Sequence, residues 1–310
     1  MQTDDDFDFT KPEAATPAPS AATAPPKPVL SRYYDAEVAK RFFEVGGRLE
    51  GFPAGTTLFV ENEKSGKQGL FGKRVSHRMY LITEGAVALS LGGKSLDTIK
   101  AGEVFGEMAV ISETPAGSTR SATAIAQTDC KVYSLDTEEL QAALARTPEF
   151  ALMLMSVMFD RLRFLAARLA ARKTAVAKDG RHESPVFDAD ALANLEATLE
   201  RATTIRYQAG KVVMNEGDAG TNMYIVLEGR VAISIKGRVV ESVGSGGTFG
   251  EMALVDQSPR TASAVAENDC ALLAIHRAAL IALVKNQPAV GITMLRSVAA
   301  RLRYMNALLA

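Results

Sequence analysis

The chain has 310 residues, 47% of them hydrophobic, and a formal net charge of −1, which is enough material for two domains of ordinary size. A net charge so close to zero argues against a nucleic-acid-binding surface over the whole protein. Because the sequence has no apolar run of transmembrane length and no amino-terminal apolar signal segment, we expect a cytoplasmic protein with no membrane partner.

Residues 1–30 are predicted to be a disordered tail. They begin with an acidic and aromatic stretch, Asp4 to Phe9, and continue as an Ala/Pro/Thr/Ser-rich run that ends at Pro28. Such a composition cannot bury a core. The acidic-aromatic start is either a docking motif for a partner or a plain solubilising segment, and the residues leave both interpretations open.

Two helices are predicted to open two domains. Residues 35–45 and 190–201 each begin with an aspartate, the residue type that caps helix amino termini, and each leads into a strand-like segment. We therefore place the first domain at 31–175, a linker at 176–189 and the second domain at 190–310.

Short apolar or alternating segments, separated by glycines, follow each of these helices. Many short strands with glycine turns predict a mainly β protein with flanking helices, with an antiparallel barrel of the jelly-roll or cupin-like type in each domain. The predicted strands are residues 57–60, 79–83, 86–91, 212–214, 223–227 and 231–235.

The two halves of the chain are an internal repeat. The segment from Met79 to Gly85 recurs as Met223 to Gly229, which indicates one domain copied. The first copy carries an insertion within residues 61–78, predicted to be a basic hairpin or loop. Its basic residues include Lys64, Lys67, Lys73 and Arg74.

A long amphipathic helix is predicted to end each domain. In the first copy Pro148 follows Thr147, a pattern typical of a first helical position after a cap. Apolar residues then recur at intervals of three and four, a pattern typical of core packing or of a helix–helix seam. The two stripes are Leu154, Met158, Leu162, Leu165 and Leu169, and Met294, Val298, Leu302, Met305 and Leu309.

The stretch from Phe249 to Thr261 combines residue types suited to a sugar phosphate. Gly250 permits a sharp turn and close backbone approach, and Glu251 offers a carboxylate to a ribose hydroxyl. Met252 and Ala253 begin a predicted helical turn whose free N–H groups can receive an anion. Arg260 can present a planar fork of donors to two phosphate oxygens.

The first domain repeats this stretch. Phe105 is followed by the equivalents of the residues above, namely Gly106, Glu107, Met108, Ala109, Arg120 and Ser121. The first copy is longer within Ser112 to Thr119, and we expect the longer loop to aim Arg120 differently. This site is interpreted either as a second binding site or as a structural pocket.

These two stretches, Phe-Gly-Glu-x-Ala-Leu through Pro-Arg-Thr-Ala in the second copy, resemble the phosphate-binding cassette of cyclic nucleotide-binding domains. That family includes bacterial catabolite activator proteins and regulatory subunits of cyclic-AMP-dependent protein kinase. The resemblance implies that Glu251 holds the ribose 2′-hydroxyl and Arg260 the cyclic phosphate, with amides near Met252 and Ala253 on the remaining oxygens. It also implies that each long helix pairs with another and covers the bound base.

The resemblance implies cAMP or cGMP as the ligand. Asn306 could offer an amide to a purine edge, whereas its counterpart in the repeat is Ala166. Thr261 and Ser121 carry hydroxyl groups that do not decide between the two nucleotides. We favour cAMP.

No catalytic motif, dinucleotide fingerprint or cofactor-binding motif is found, so we expect a binding protein and not an enzyme. Cys130 and Cys270 occupy equivalent positions and are interpreted as unpaired core thiols, with no metal site. The second helix ends at Ala310 without a helix-turn-helix, so we expect no direct nucleic-acid contact.

We expect signalling through an unidentified effector protein. The sequence leaves open whether the long helices pair within one chain or form a homodimer. Two alternatives to a receptor remain: a nucleotide-independent interaction scaffold, and a regulator linked to DNA through a partner. The second alternative would use a basic stripe, which is otherwise an ordinary solvated helix face. The stripe is Arg161, Arg163, Arg168, Arg172 and Lys173.

Overall fold

The computed structural model describes residues 34–65, 76–112, 118–171, 186–198 and 203–309. The predicted tail, the centre of the 61–78 insertion and most of the predicted linker lie outside these ranges. Within them the chain forms two domains with the same order of elements.

The described residues of the first domain form eight strands and four helices. Their bounds are α1 Ala36–Gly46, β1 Arg48–Phe52, β2 Thr57–Phe59, β3 Met79–Glu84, β4 Ala86–Leu91, β5 Lys94–Lys100, β6 Val104–Phe105, α2 Glu107–Ile111, β7 Thr123–Ala126, β8 Cys130–Leu135, α3 Thr137–Arg146 and α4 Phe150–Ala171.

The second domain repeats this plan. Its elements are α5 Ala189–Thr198, β9 Thr203–Tyr207, β10 Val212–Met214, β11 Asn222–Glu228, β12 Val231–Ile235, β13 Arg238–Val243, β14 Thr248–Phe249, α6 Glu251–Asp256, β15 Ser263–Ala266, β16 Cys270–His276, α7 Arg277–Asn286 and α8 Pro288–Leu309.

Each domain has two four-stranded antiparallel sheets. The first domain has the orders β1-β8-β3-β6 and β2-β7-β4-β5, and the second has the equivalent orders β9-β16-β11-β14 and β10-β15-β12-β13. The two sheets of the first domain share one apolar core, in which Tyr80 and Phe105 stack with ring centroids 5.1 Å apart. Tyr224 and Phe249 stack at the same distance in the second domain. The predicted mainly β, jelly-roll-type fold is confirmed.

Two helix starts differ from the sequence prediction. Asp35 caps α1 as expected, by accepting from the N–H groups of Glu37 and Val38. In the second domain the cap is Asp188 and not Asp190, because Asp188 Oδ1 accepts from the N–H of Ala191 at 2.8 Å. Pro288 is the first residue of α8, as predicted for Pro148 in α4. Helix α4 instead begins at Phe150, because Pro148 and Glu149 form a turn that precedes it.

The long helices α4 and α8 pack against each other within one chain. Both predicted apolar stripes are buried, from Leu154 to Leu165 on α4 and from Met294 to Met305 on α8. The structure thus pairs the two repeats intramolecularly, one of the two arrangements that the sequence left open.

No single helix in the described part of the chain is long and apolar enough to cross a membrane. Helices α7 and α8 reach that length and composition only as a pair bent by 113°.

A glycine sets the distance between α4 and α8. A Cβ atom at Gly291 would lie 3.0 Å from Ala151 Cβ and 3.2 Å from Val284 Cγ1.

We expect Gly291→Leu to separate the helices and lower the free energy of unfolding by about 1–3 kcal/mol, the range for an overpacked core. Urea denaturation measures this change. Ala289→Leu, at an exposed position of the same helix, is the control, and equal stability of the two variants would contradict close packing at Gly291.

Candidate functional site

A left-handed glycine opens each cassette. Gly106 and Gly250 precede α2 and α6 with φ of +76° and +80°, where a Cβ atom is strained. A Cβ atom at Gly250 would also lie 2.7 Å from Arg260 Nη1. The turn therefore needs glycine both for its backbone conformation and for the space that the arginine occupies.

The second cassette borders an open cavity. Seven of the predicted site residues line it: Phe249, Gly250, Glu251, Met252, Ala253, Arg260 and Thr261. Apolar side chains from the sheet, among them Ile233 and Val240, also line it. Leu162 and Ala166 come from α4 of the first domain, so both domains build this cavity.

Asn306 does not line the cavity. Its side chain is exposed, and the neighbouring residues Tyr304 and Met305 border the cavity instead. Side chains one position apart on a helix point in different directions. The predicted contact of Asn306 with a purine edge therefore does not follow from its position next to Met305.

Arg260 is a buried cation held by backbone carbonyls. It is 6% exposed, and it donates from Nη1 to the Gly250 oxygen at 2.7 Å and from Nη2 to the Asn222 oxygen at 2.5 Å. Among the described residues no carboxylate forms an ion pair with it. Burial lowers the pKa of the Arg260 guanidinium below its usual range, and the charges of Glu251 and Asp218 only partly oppose this. An anion in the cavity would compensate this charge.

Glu251 is a buried carboxylate with one committed oxygen. It is 3% exposed, and its Oε1 accepts from Arg301 Nη1 at 2.6 Å. Its Oε2 is buried and has no hydrogen-bond partner among the described residues. Because a buried acceptor without a donor is costly, this oxygen is suited to a ligand hydroxyl.

Arg301 joins the cassette to α8, and sequence reasoning missed this role. Besides Glu251, it donates to Glu241 Oε1 at 3.2 Å and to the Thr248 oxygen. Burial by itself would lower the pKa of Arg301, but Glu241 and Glu251 raise it above its usual value. The signal was present in the repeat, since Arg161 occupies the equivalent position and donates to Glu107 in the first domain.

Each long helix also contacts the cassette of the other domain. Arg163 on α4 donates to Asp256 and, at 2.7 Å, to Ser258 Oγ in the second cassette. Arg303 on α8 donates to the Met108 oxygen at 3.2 Å and to the Thr119 oxygen at 3.3 Å in the first cassette. Within the predicted basic stripe, Arg161 and Arg163 are engaged in contacts inside the protein, and Arg168 lies over the Phe164 ring. Arg172 and Lys173 lie outside the described residues.

The first cassette has the same hydrogen bonds around its arginine. Arg120 donates from Nη1 to the Gly106 oxygen at 3.0 Å and from Nη2 to the Arg78 oxygen at 2.8 Å, as Arg260 does to Gly250 and Asn222. The longer loop therefore does not aim Arg120 differently, contrary to our expectation. Glu107, Met108 and Ala109 are buried, whereas Ser121 is exposed.

In the part of the chain that the structure describes, no group of His, Cys, Asp and Glu residues could hold a metal ion. Cys130 and Cys270 are both buried free thiols.

The buried pair of Arg301 and Glu251 should show strong coupling. Removing the guanidinium leaves a carboxylate buried without its partner, so we expect Arg301→Met to lower the free energy of unfolding by about 3 kcal/mol or more. Adding Glu251→Gln to this variant should recover part of the loss, because the lone charge is then gone. Chemical denaturation of the four proteins in the cycle gives the coupling, and strictly additive effects would contradict a direct interaction.

The cyclic nucleotide-binding domain family matches residues 49–147 and 204–287, one segment in each domain and together more than half of the chain. The cAMP-dependent protein kinase regulatory subunit of Eremothecium gossypii is 28% identical over 188 residues, covering 60% of the chain and 35% of that protein. The cyclic AMP receptor protein of Thermus thermophilus is 34% identical over 125 residues, covering 39% of the chain and 58% of that protein.

The chain thus spans less than two thirds of the length of either relative. Among solved structures, the regulatory domain of Toxoplasma gondii PKA with cAMP is similar over 82% of this chain and 88% of that one. The sequence identity is 19% and the TM-score 0.28. With a matching segment and a glycine-led cassette in each half, the chain belongs to the cyclic nucleotide-binding domain family and carries two such domains in tandem.

Proposed function

We propose that the chain is a non-enzymatic receptor whose second domain binds a cyclic nucleotide, cAMP in preference to cGMP, and signals to an effector protein. One observation carries the proposal. In the described part of the chain, the buried Arg260 guanidinium has no carboxylate partner and the buried Glu251 Oε2 has no donor, and both residues border the same cavity. A cyclic phosphate and a ribose hydroxyl supply the two missing partners.

The remaining wall of the cavity suits a purine. Arg301 binds both Glu241 and Glu251, so these three charged side chains are engaged with one another. The other side chains that line the cavity beyond the cassette are mostly apolar and include Ile233, Val240 and Met305. A flat base gains most by burying its faces against such a wall. The preference for cAMP rests on the two relatives that are named for it.

The proposed signal travels through the arginine contacts of the cassette. Arg301 ties Glu251 at the start of α6 to α8, and Arg163 ties Asp256 at the end of α6 to α4. A ligand that shifts α6 changes both contacts and thereby the packing of the two long helices. The size of the response is limited by the difference in ligand affinity between the two arrangements. A protein kinase is the first effector class to test, since one relative is named as a kinase regulatory subunit.

Binding is tested by isothermal titration of cAMP and cGMP into the purified chain. We expect Arg260→Met to weaken binding about 30-fold or more, since losing a buried charge-assisted contact costs about 2 kcal/mol or more. Arg206→Met removes an exposed arginine that pairs with Glu228 on the surface and should bind as the unaltered protein does. Failure of both nucleotides to bind the unaltered protein would favour the nucleotide-independent scaffold. Binding that Arg260→Met leaves unchanged would contradict the second cassette as the binding site.

Transmission is tested by hydrogen–deuterium exchange with and without nucleotide. Because Leu162 and Ala166 line the cavity, we expect ligand to slow amide exchange in α4 of the first domain as well as in α6. Helix α3, which does not border the cavity, serves as the internal reference. Protection confined to the second domain would contradict the proposed route.

A further inference from the structure

The two cassettes differ most clearly at one wall position. Phe59 in β2 pairs with Ala124, and Met214 in β10 pairs with Ala264, so the two side chains occupy equivalent places in the repeat. In the second domain Met214 is part of the cavity wall, together with Gly250 and Arg260.

In the first domain Phe59 covers the cassette arginine. The Cζ atom of Arg120 lies 3.9 Å from the centroid of the Phe59 ring, which is the geometry of a cation–π contact. The ring also reaches the cassette turn, since a Cβ atom at Gly106 would lie 3.3 Å from Phe59 Cε1. At this separation the ring and the guanidinium are in van der Waals contact, and no phosphate oxygen fits between them.

Neighbouring aromatic rings hold Phe59 in this position. Its centroid is 6.1 Å from those of both Tyr80 and Phe105. The Tyr224 and Phe249 rings of the second domain stack as Tyr80 and Phe105 do, but the third ring is replaced by Met214. Phe59 is 6% exposed, so it lies inside the first domain and does not project from it.

We propose that Phe59 is a plug that occupies the place of the cyclic phosphate in the first cassette, so that the chain binds a single nucleotide, at the second cassette. Arg120 then has a structural role: its guanidinium bridges the carbonyls of Gly106 and Arg78 while the ring covers its face. A methionine at position 59, as in the second domain, would open a second site for a cyclic nucleoside monophosphate. This inference rests on the proposed function of the second cassette.

The test is the stoichiometry of cAMP and cGMP binding, measured by equilibrium dialysis at saturating nucleotide. The unaltered chain should bind a single equivalent, and Phe59→Met should double that value. At nucleotide concentrations that saturate the unaltered chain but lie below the weakened dissociation constant of the second cassette, the double variant Phe59→Met with Arg260→Met should keep one equivalent, bound at the opened first cassette. Phe52→Met is the matched control, because the Phe52 ring packs on Tyr80 in the same cluster and should leave the stoichiometry unchanged.

Two equivalents on the unaltered chain, or one on Phe59→Met, would overturn the plug while leaving the receptor function intact. No binding by the unaltered chain together with binding by the double variant would support the plug and remove the function proposed for the second cassette. Circular dichroism and a thermal midpoint verify folding, and Phe59→Leu replaces Phe59→Met if the latter fails to fold. The stoichiometry of the unaltered chain tests the plug independently of any variant.

Discussion

A buried carboxylate, Glu251, connects the cavity of the second domain to helix α8. One of its oxygens is bound by Arg301 on α8, and the other has no donor among the described residues. In a region from which water is excluded, charge and hydrogen-bonding capacity must be matched by defined partners. Arg301, which binds this carboxylate, also donates to Glu241, so one residue of α8 is tied both to the cassette and to the sheet.

The two repeats pair within one chain, through their long helices, as two copies of a single-domain protein could pair in a symmetric dimer. Helices α4 and α8 bury their apolar stripes on each other, and Gly291 allows them to approach closely. Because the repeats are not identical, the two halves can diverge. Among the described residues, Arg163 donates to side chains of the second cassette, whereas Arg303 donates to backbone carbonyls of the first.

The divergence is clearest at the cassettes themselves. Both have the left-handed glycine, the buried glutamate and an arginine that donates to two carbonyls, so the backbone of the motif is retained in each. What differs is the neighbouring strand, where Phe59 stands against Arg120 and Met214 stands beside an open cavity. The same set of motif residues therefore occurs with two different environments around the cassette arginine.

The sequence by itself determined the repeat, the mainly β fold and the cassette residues from Phe249 to Arg260. Glycine turns, strand periodicity and helical stripes are local signals, and two copies of each reinforced them. Only the tertiary structure decided that α4 closes the second cavity, that Arg301 binds Glu251, that Asn306 is exposed and that Phe59 covers Arg120. These contacts join residues far apart in the chain, and they depend on the distance and angle at which strands and helices pack, which local patterns do not encode.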